Sequence, residues 1–221
     1  MKRGRIIVLR ERFNQQPYIV EIDGFKLKID KGVFPPDFGL TTRYLAQFLK
    51  NLKFKKALDM GCGSGYLSLV LKKNNKDSQV WAVDMEESAT RCTEENAKLN
   101  KLSIKIVKSD LFSQIKKDNK FDLMVFNQPY YPLKKPIFGC KEDGGKKIIS
   151  IFLEKSKNYL SNGGVIIMPY SDISGEINNP LPIAKQMGYY VKTKITKNDD
   201  TGAHYIYEIK HGTIKTRQSN T

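Results

Sequence analysis

The segment KALDMGCGSGYLSLVL, from Lys56 to Leu71, joins a short apolar strand, a glycine-rich turn and the start of a helix. Glycines at such a turn permit positive φ and let backbone amides approach a ligand closely. The segment has no Gly-x-Gly-x-x-Gly motif, because Tyr66 occupies the last position, and it has no Gly-Lys-Ser/Thr phosphate loop. It therefore predicts a strand–turn–helix unit that carries a ligand site of another kind.

Strands and helices alternate after this segment. Buried strands are predicted at QVWAVD, IKIVKSD, DLMVFN and VIIMP, and YYVKTKIT and HYIYEIK read as a closing antiparallel pair. A helix is predicted from about Gly145 to Leu160, ended by Asn162-Gly163-Gly164. Such alternation is typical of a parallel sheet covered on both faces. We therefore predict a doubly wound α/β fold that binds its ligands beyond the carboxyl ends of the strands.

The first third of the chain indicates β-structure. YIVEI and FKLKI flank Asp23-Gly24, a strong signal for a hairpin. A loop, KGVFPPDFG, and a helix from about Leu40 to Leu52 follow. We predict a β-hairpin extension over residues 1–32, a main domain over residues 33–211 and a basic tail over residues 212–221.

The composition favours polyanionic surroundings, because 38 Lys and Arg against 23 Asp and Glu give the 221 residues a net charge of +15. The alternative is that lysines are simply spread over a solvated face. The apolar runs are too short to span a bilayer, and the N-terminus lacks the core of a signal peptide, so we expect a cytoplasmic protein without membrane contact. The three cysteines share no metal-like spacing, so we expect reduced thiols and no metal site.

Carboxylates stand at the ends of three consecutive predicted strands. Asp59, directly before the glycine turn, would repel a pyrophosphate but attract an α-amino group or a sulfonium. Asp84 can accept hydrogen bonds from both hydroxyls of a ribose, and Asp110 from an adenine amino group. Each alone is compatible with a helix cap or a turn. Together with the glycine turn, the three fit S-adenosylmethionine.

From Val33 to Lys210 the chain resembles the class I S-adenosylmethionine-dependent methyltransferases, through LDMGCGSGYLSL, VWAVDME, VKSDLF and FNQPYYP. The resemblance implies a Rossmann-like, mostly parallel seven-stranded sheet whose last strand is antiparallel. It also implies that Asp59 and the glycine turn hold the methionine moiety, Asp84 the ribose and Asp110 the adenine. The predicted cofactor-binding residues are Asp59, Gly61, Cys62, Gly63, Gly65, Asp84, Met85, Asp110, Leu111 and Asn127.

The fourth strand of this series ends on an amide, Asn127, followed by Gln128, Pro129 and Tyr130. An amide or aryl amine nitrogen is a poor nucleophile, because its lone pair is conjugated. The Asn127 side-chain oxygen and the Gln128 backbone carbonyl can accept its two N–H groups and aim the lone pair at a methyl group. Tyr130 can stack on the planar group and Pro129 can fix the turn. These four are the predicted catalytic residues; the alternative is an ordinary turn after a strand.

The motif is similar to the Asn-Pro-Pro-Tyr signature of amino-methylating enzymes, with Gln128 in place of the first proline. GCKEDGGKKIISIFLEKSKNYLSNGGVIIM and GVFPPDFGLTTRYL resemble segments of the HemK-like release-factor glutamine methyltransferases, and the second also resembles small rRNA base methyltransferases. We place a protein glutamine first as acceptor and an RNA or DNA base amine second. A third interpretation is a cofactor-binding, RNA-associated protein without catalysis. His204 and His211 are expected to be structural or surface residues.

Overall fold

The computed structural model describes Glu11, residues 13–129 and residues 145–212. Its first element is a hairpin of two antiparallel strands, β1 (Tyr18–Ile22) and β2 (Phe25–Ile29), paired from Tyr18 with Ile29 to Ile22 with Phe25. Asp23 and Gly24 turn the chain with φ of 53° and 73°. Asp and Gly tolerate this left-handed region, which explains why the dipeptide predicted the hairpin correctly.

The main sheet has seven strands in the order β5-β4-β3-β6-β7-β9-β8. Strands β3 to β7 run parallel to one another, and β9 lies between β7 and β8, antiparallel to both. The predicted doubly wound sheet with an antiparallel last strand is confirmed. The strands are β3 (Lys56–Met60), β4 (Gln79–Asp84), β5 (Lys105–Lys108), β6 (Phe121–Phe126), β7 (Leu160–Ser171), β8 (Tyr189–Asp199) and β9 (Gly202–His211).

Helices cover both faces of this sheet. Alternate residues of β6 enter two hydrophobic clusters: Leu123 and Val125 pack with α1 and α2, and Met124 and Phe126 pack with α4 and α5. No helix in the described part of the chain is long and apolar enough to cross a membrane. The helices are α1 (Leu40–Leu49), α2 (Tyr66–Asn74), α3 (Glu87–Leu99), α4 (Lys146–Ser156) and α5 (Pro180–Gln186), with 3₁₀ turns at Asp172–Ser174 and Glu176–Asn178.

The hairpin packs against the main sheet's helices. Its residues Phe25, Leu27 and Ile29 belong to the same hydrophobic cluster as α1 and α2. The Asn96 side chain on α3 accepts from the Lys28 N–H (2.7 Å) and donates to the Lys28 carbonyl (2.9 Å). These two hydrogen bonds attach the Lys28 backbone of β2 to α3.

Two predicted helix ends are wrong. Helix α4 ends at Ser156, and Asn162-Gly163-Gly164 lies inside β7. Tyr159 still belongs to the turn that follows α4, but its carbonyl already accepts from the Phe121 N–H at 2.8 Å, and β7 begins at the next residue. Gly163 has a φ of 76°, a conformation that favours glycine. A Cβ on Gly164 would lie 2.8 Å from the Phe121 carbonyl oxygen, so Gly164 permits the close approach of two strands.

Helix α1 likewise ends earlier than predicted, at Leu49 instead of Leu52. The N–H groups of Asn51 and Leu52 bond to carbonyls only three residues back, at 3.3 and 3.1 Å, so the chain leaves the helix through tighter turns. Neither correction moves a predicted site residue.

Candidate active site

The glycine turn folds over the carboxyl end of β4. The N–H groups of Gly61 and Cys62 both donate to the Val83 carbonyl, at 2.7 and 3.0 Å. Gly61, Gly63 and Gly65 have φ of 68°, 55° and 77°, a conformation that other residues rarely adopt. The sequence therefore needs glycine at these positions to place a short turn across two strand ends.

The three glycines differ in what surrounds them. A Cβ on Gly65 would lie 2.8 Å from the Thr93 side chain, so Gly65 lets α2 and α3 pack closely. A Cβ on Gly63 would meet no atom of the described chain within 4 Å. The backbone at Gly63 is thus open on the side where a ligand can approach, as a cofactor-binding turn requires.

Asp84 ends β4 beside this turn. Its Oδ2 accepts from the Gly63 N–H and its Oδ1 from the Glu86 N–H, both at 3.0 Å. Burial raises the pKa of the Asp84 carboxyl, against these backbone hydrogen bonds, which lower it. A carboxylate has about four lone-pair sites, so each oxygen can still accept one hydroxyl. Met85 follows with 58% of its surface exposed, an apolar side chain beside the turn.

Asp59 lies beneath the turn, near the end of β3, with only 1% of its surface exposed. Its Oδ2 accepts from the Ser68 hydroxyl at 2.6 Å. Burial raises the pKa of Asp59 to about 7, the Ser68 hydrogen bond lowers it, and the charge of Asp84 raises it further. Two carboxyl groups close to one turn favour a cationic ligand group. Sequence reasoning missed Ser68, although a hydroxyl within the apolar run YLSLVL was a signal.

The turn after β5 holds the third carboxylate. The Ser109 hydroxyl donates to the Leu111 carbonyl at 2.8 Å and accepts from the Gln114 N–H at 3.0 Å. Leu111 is buried and has a φ of 48°. Asp110 is left exposed between them, free to accept from a ligand.

Asn127 directly follows β6, the strand that pairs with β3. Its Nδ2 donates to Oγ1 of Thr42 on α1, at 3.1 Å. Its Oδ1 is buried and, among the described residues, has no hydrogen-bond partner. A buried acceptor without a partner costs about 1–3 kcal/mol. This oxygen is therefore suited to a bound N–H group. Thr42 was not singled out from the sequence, although GVFPPDFGLTTRYL, which contains it, was.

The next residues form the rest of the predicted catalytic motif. The Gln128 side chain is buried, and its Nε2 donates to the Pro169 carbonyl on β7 at 2.9 Å. Gln128 therefore links the turn after β6 to β7. Pro129 lies against Gly145, where an added Cβ would clash with the Pro129 carbonyl oxygen. Tyr130 lies outside the described residues.

His204 has a structural place, as expected. It is buried on β9, with Nδ1 2.8 Å from the Thr41 hydroxyl and Nε2 3.2 Å from Asp199 Oδ2. These contacts tie α1 to the β8–β9 hairpin.

Cys62 and Cys92 are buried free thiols, and burial raises the pKa of both.

These features fit S-adenosylmethionine. The turn has an open glycine backbone at Gly63, Asp84 keeps acceptor capacity for a ribose, and Asp59 and Asp84 together favour a cation. The unpartnered oxygen of Asn127 stands at the end of β6, the strand that pairs with β3 beside this turn.

Comparison with known proteins agrees with this geometry. The family model described as "Methyltransferase small domain" matches residues 24–187. A Methanocaldococcus jannaschii protein, whose name proposes a protein N5-glutamine methyltransferase, is 32% identical over 188 residues, or 80% of this chain and 93% of the relative. The release factor glutamine methyltransferase of Fusobacterium nucleatum is 34% identical over 113 residues, 50% of this chain. The chain matches only 32% of that relative's length.

A solved structure shares the fold. It is a 16S rRNA N2 methyltransferase of T. thermophilus in complex with AdoMet and guanosine, with a TM-score of 0.65 at 18% identity, covering 88% of this chain and 50% of that one. The match over most of the chain, together with the site geometry, fixes the family. The chain belongs to the methyltransferase small domain family, and it is a class I S-adenosylmethionine-dependent methyltransferase.

Proposed function

We propose that this methyltransferase methylates the side-chain amide nitrogen of a glutamine in a protein such as a translation release factor. The observation that carries the choice of an NH₂ group as acceptor is the buried Oδ1 of Asn127, which lacks a partner among the described residues. An acceptor amide brings two N–H groups, and this oxygen can take one of them. A hydroxyl acceptor would bring only one hydrogen-bond donor and a carbon acceptor none.

The chain's contribution to the reaction is positioning and electrostatics. Asn127 Oδ1 accepts one N–H of the acceptor and the Gln128 backbone carbonyl accepts the other. Together they orient the nitrogen so that its lone pair is directed at the methyl group. S-adenosylmethionine, when bound, would supply an electrophilic methyl group whose carbon–sulfur electron pair stays on sulfur. The acceptor nitrogen would form the new carbon–nitrogen bond and release one proton to water. Asp59 and Asp84 favour the cationic cofactor over its neutral thioether product.

The names of relatives support glutamine as the acceptor. The M. jannaschii protein covers most of this chain and nearly all of its own length, and its name refers to protein glutamine. The F. nucleatum relative, matched over half of this chain, is named for a release factor. A second candidate acceptor is the exocyclic amine of an RNA base, favoured by the net charge of +15. Both acceptors present a planar NH₂ group, so Asn127 serves either one.

The test is methyl transfer from radiolabelled S-adenosylmethionine to two purified pools from the same organism, the translation release factor and ribosomal RNA. We expect label in the release factor, resistant to nuclease, with mass spectrometry placing one methyl group on a glutamine. Replacing that glutamine by asparagine should abolish the label. Label in RNA alone would overturn the glutamine proposal in favour of the base, and label in neither pool would remove the support for both.

A further inference from the structure

Thr42 contacts the one side chain that the proposed chemistry needs in a single orientation. Thr42 is 4% exposed in the first turn of α1, and its Oγ1 accepts from Asn127 Nδ2 at 3.1 Å. The two ends of a side-chain amide have similar shape and opposite hydrogen-bonding character. The Thr42 hydroxyl can donate as well as accept, and in this structure it accepts from the Asn127 nitrogen, which leaves the Asn127 oxygen for the acceptor. In the flipped amide, an NH₂ group would instead meet the NH₂ group of the acceptor.

The rotamer of Thr42 is restricted by its own branching, and the residue before the helix leaves room for it. Thr42 is β-branched, so its χ1 has few alternatives in a helix. Gly39 precedes the helix with a φ of −95°, and a Cβ there would lie 2.9 Å from Thr42 Oγ1 and 3.5 Å from Thr42 Cβ. The absence of a side chain at residue 39 therefore leaves room for this rotamer.

The neighbouring hydroxyl has a different partner. Thr41 Oγ1 lies 2.8 Å from His204 Nδ1 on β9, which fastens the first turn of α1 to the sheet. Thr41 and Thr42 are both buried. The first turn of α1 thus presents two hydroxyls, of which Thr41 anchors the helix and Thr42 reaches the active site.

We propose that Thr42 is a positioning residue for methyl transfer, which fixes the amide of Asn127 with its oxygen towards the acceptor nitrogen. The proposal rests on the proposed function, because it assumes an acceptor that donates N–H groups. It adds a specific requirement, that residue 42 must offer a hydrogen-bond acceptor to Asn127.

The chain provides matched variants for the test. Thr42→Val removes the hydroxyl at nearly constant volume, Thr42→Ser retains it, and Thr41→Val removes a buried hydroxyl that Asn127 does not touch. On the acceptor identified for the wild type, we expect Thr42→Val to lower kcat by about 10- to 100-fold. Affinity for S-adenosylhomocysteine should stay near the wild-type value. Thr42→Ser should recover most of kcat, and Thr41→Val should lose stability with little change in kcat.

Double variants separate positioning from a general effect on the fold. In the Asn127→Ala background, Thr42→Val should cause no further loss of kcat, because the side chain that it positions is gone. Additive losses would overturn the proposal and leave Thr42 as a packing residue. Equal kcat for the wild type and Thr42→Val would overturn it as well.

A measurement without an acceptor tests the same contact if the proposed function fails. The Asn127 side-chain amide protons can be assigned in NMR spectra by their loss in Asn127→Ala. In the wild type and in Thr42→Ser we expect slow exchange of these protons with solvent, and in Thr42→Val exchange at least about 10-fold faster. Unchanged exchange in Thr42→Val would overturn the positioning role whatever the acceptor is.

Discussion

At the scale of single residues, Asp59 is a buried group whose charge changes with pH near neutrality. Burial raises the pKa of Asp59 to about 7, Ser68 opposes this through its hydrogen bond, and the charge of Asp84 adds to it. In the protein without ligand, Asp59 is therefore largely protonated below about pH 7. A cation placed beside the carboxyl would favour the ionised form.

The first prediction follows from this shift. If the cationic end of the cofactor lies near Asp59, binding releases a proton below about pH 7. Affinity should then rise with pH from about 5.5 to 7, by at most tenfold per pH unit, and level off above. Calorimetry with S-adenosylhomocysteine, which keeps the α-amino group, measures this directly.

Asp59→Asn is the matched control, because it keeps the shape and the acceptor for Ser68. The affinity of Asp59→Asn for S-adenosylhomocysteine should vary much less with pH over the same window, with Asp84 left as the remaining contributor.

The pH dependence of the free energy of unfolding gives a second check. The raised pKa means that the stability contribution of Asp59 is complete below about pH 4, the ordinary range of an aspartate, and is lost as pH rises through about 7. Identical pH profiles for the wild type and Asp59→Asn would contradict the assignment.

At the scale of elements, the turn after β6 departs from the related Asn-Pro-Pro-Tyr signature in its use of Gln128. The side chain donates across to the Pro169 carbonyl at 2.9 Å and thereby joins the turn to β7. A proline would restrict the same turn through its ring instead. Two different devices can thus stiffen the segment that presents Asn127.

The second prediction compares these devices. Gln128→Ala removes the hydrogen bond and leaves a cavity, so it should lower the free energy of unfolding by roughly 1–3 kcal/mol and reduce turnover. Gln128→Pro also loses the bond but restricts the backbone, so it should retain more turnover than Gln128→Ala. Urea unfolding and initial rates give both quantities. Wild-type stability and turnover in Gln128→Ala would show that the contact with Pro169 does not hold the turn.

Elements whose signals are local were predictable from the sequence. Asp23-Gly24 predicted its hairpin because the turn itself requires positive φ. KALDM predicted β3 because it is short, mostly apolar and directly followed by a glycine turn. The end of α4 was predicted wrongly because Gly163 and Gly164 gave a helix-stop signal, whereas the role of Gly164 depends on the approach of β6. That approach is tertiary and leaves no local pattern.

Side-chain partners within the site were the least predictable part. The strand-end positions of Asp59, Asp84 and Asn127 follow from the alternation of strands and helices. The partners Ser68 and Thr42 do not, because a hydroxyl in an apolar stretch can signal burial but not the group that it contacts. Thr42 lies 85 positions from Asn127 in the chain, and only the folded sheet brings α1 to the end of β6.

At the scale of the whole molecule, the hairpin and the cofactor turn are connected through α3. Asn96 pairs with the backbone of Lys28 on β2, and its Nδ2 also lies 2.9 Å from the Ser64 carbonyl in the glycine turn. Asn100 pairs in the same way with Lys26, at 2.8 and 3.1 Å. The hairpin therefore supports the active site structurally.

The net charge of +15 is also a property of the whole molecule. Several lysines neutralise nearby acids, as Lys28 does with Asp30 and Glu95 and Lys50 does with Asp23, at 2.7 to 3.1 Å. Such surface pairs contribute little to stability. These ion pairs therefore do not make the lysines a main source of stability for the fold.

The central claim, that Asn127 accepts from the nitrogen that is methylated, is tested most directly by single-turnover methyl transfer in Asn127→Ala, measured beside affinity for S-adenosylhomocysteine. We predict a rate at least about 100-fold below the wild type, the scale for loss of one preorganised polar contact, with cofactor affinity nearly unchanged. Asn127→Asp, which keeps an acceptor oxygen but adds a charge, should fall between the two. A wild-type rate in Asn127→Ala on the identified acceptor would contradict the account and leave the motif as a turn.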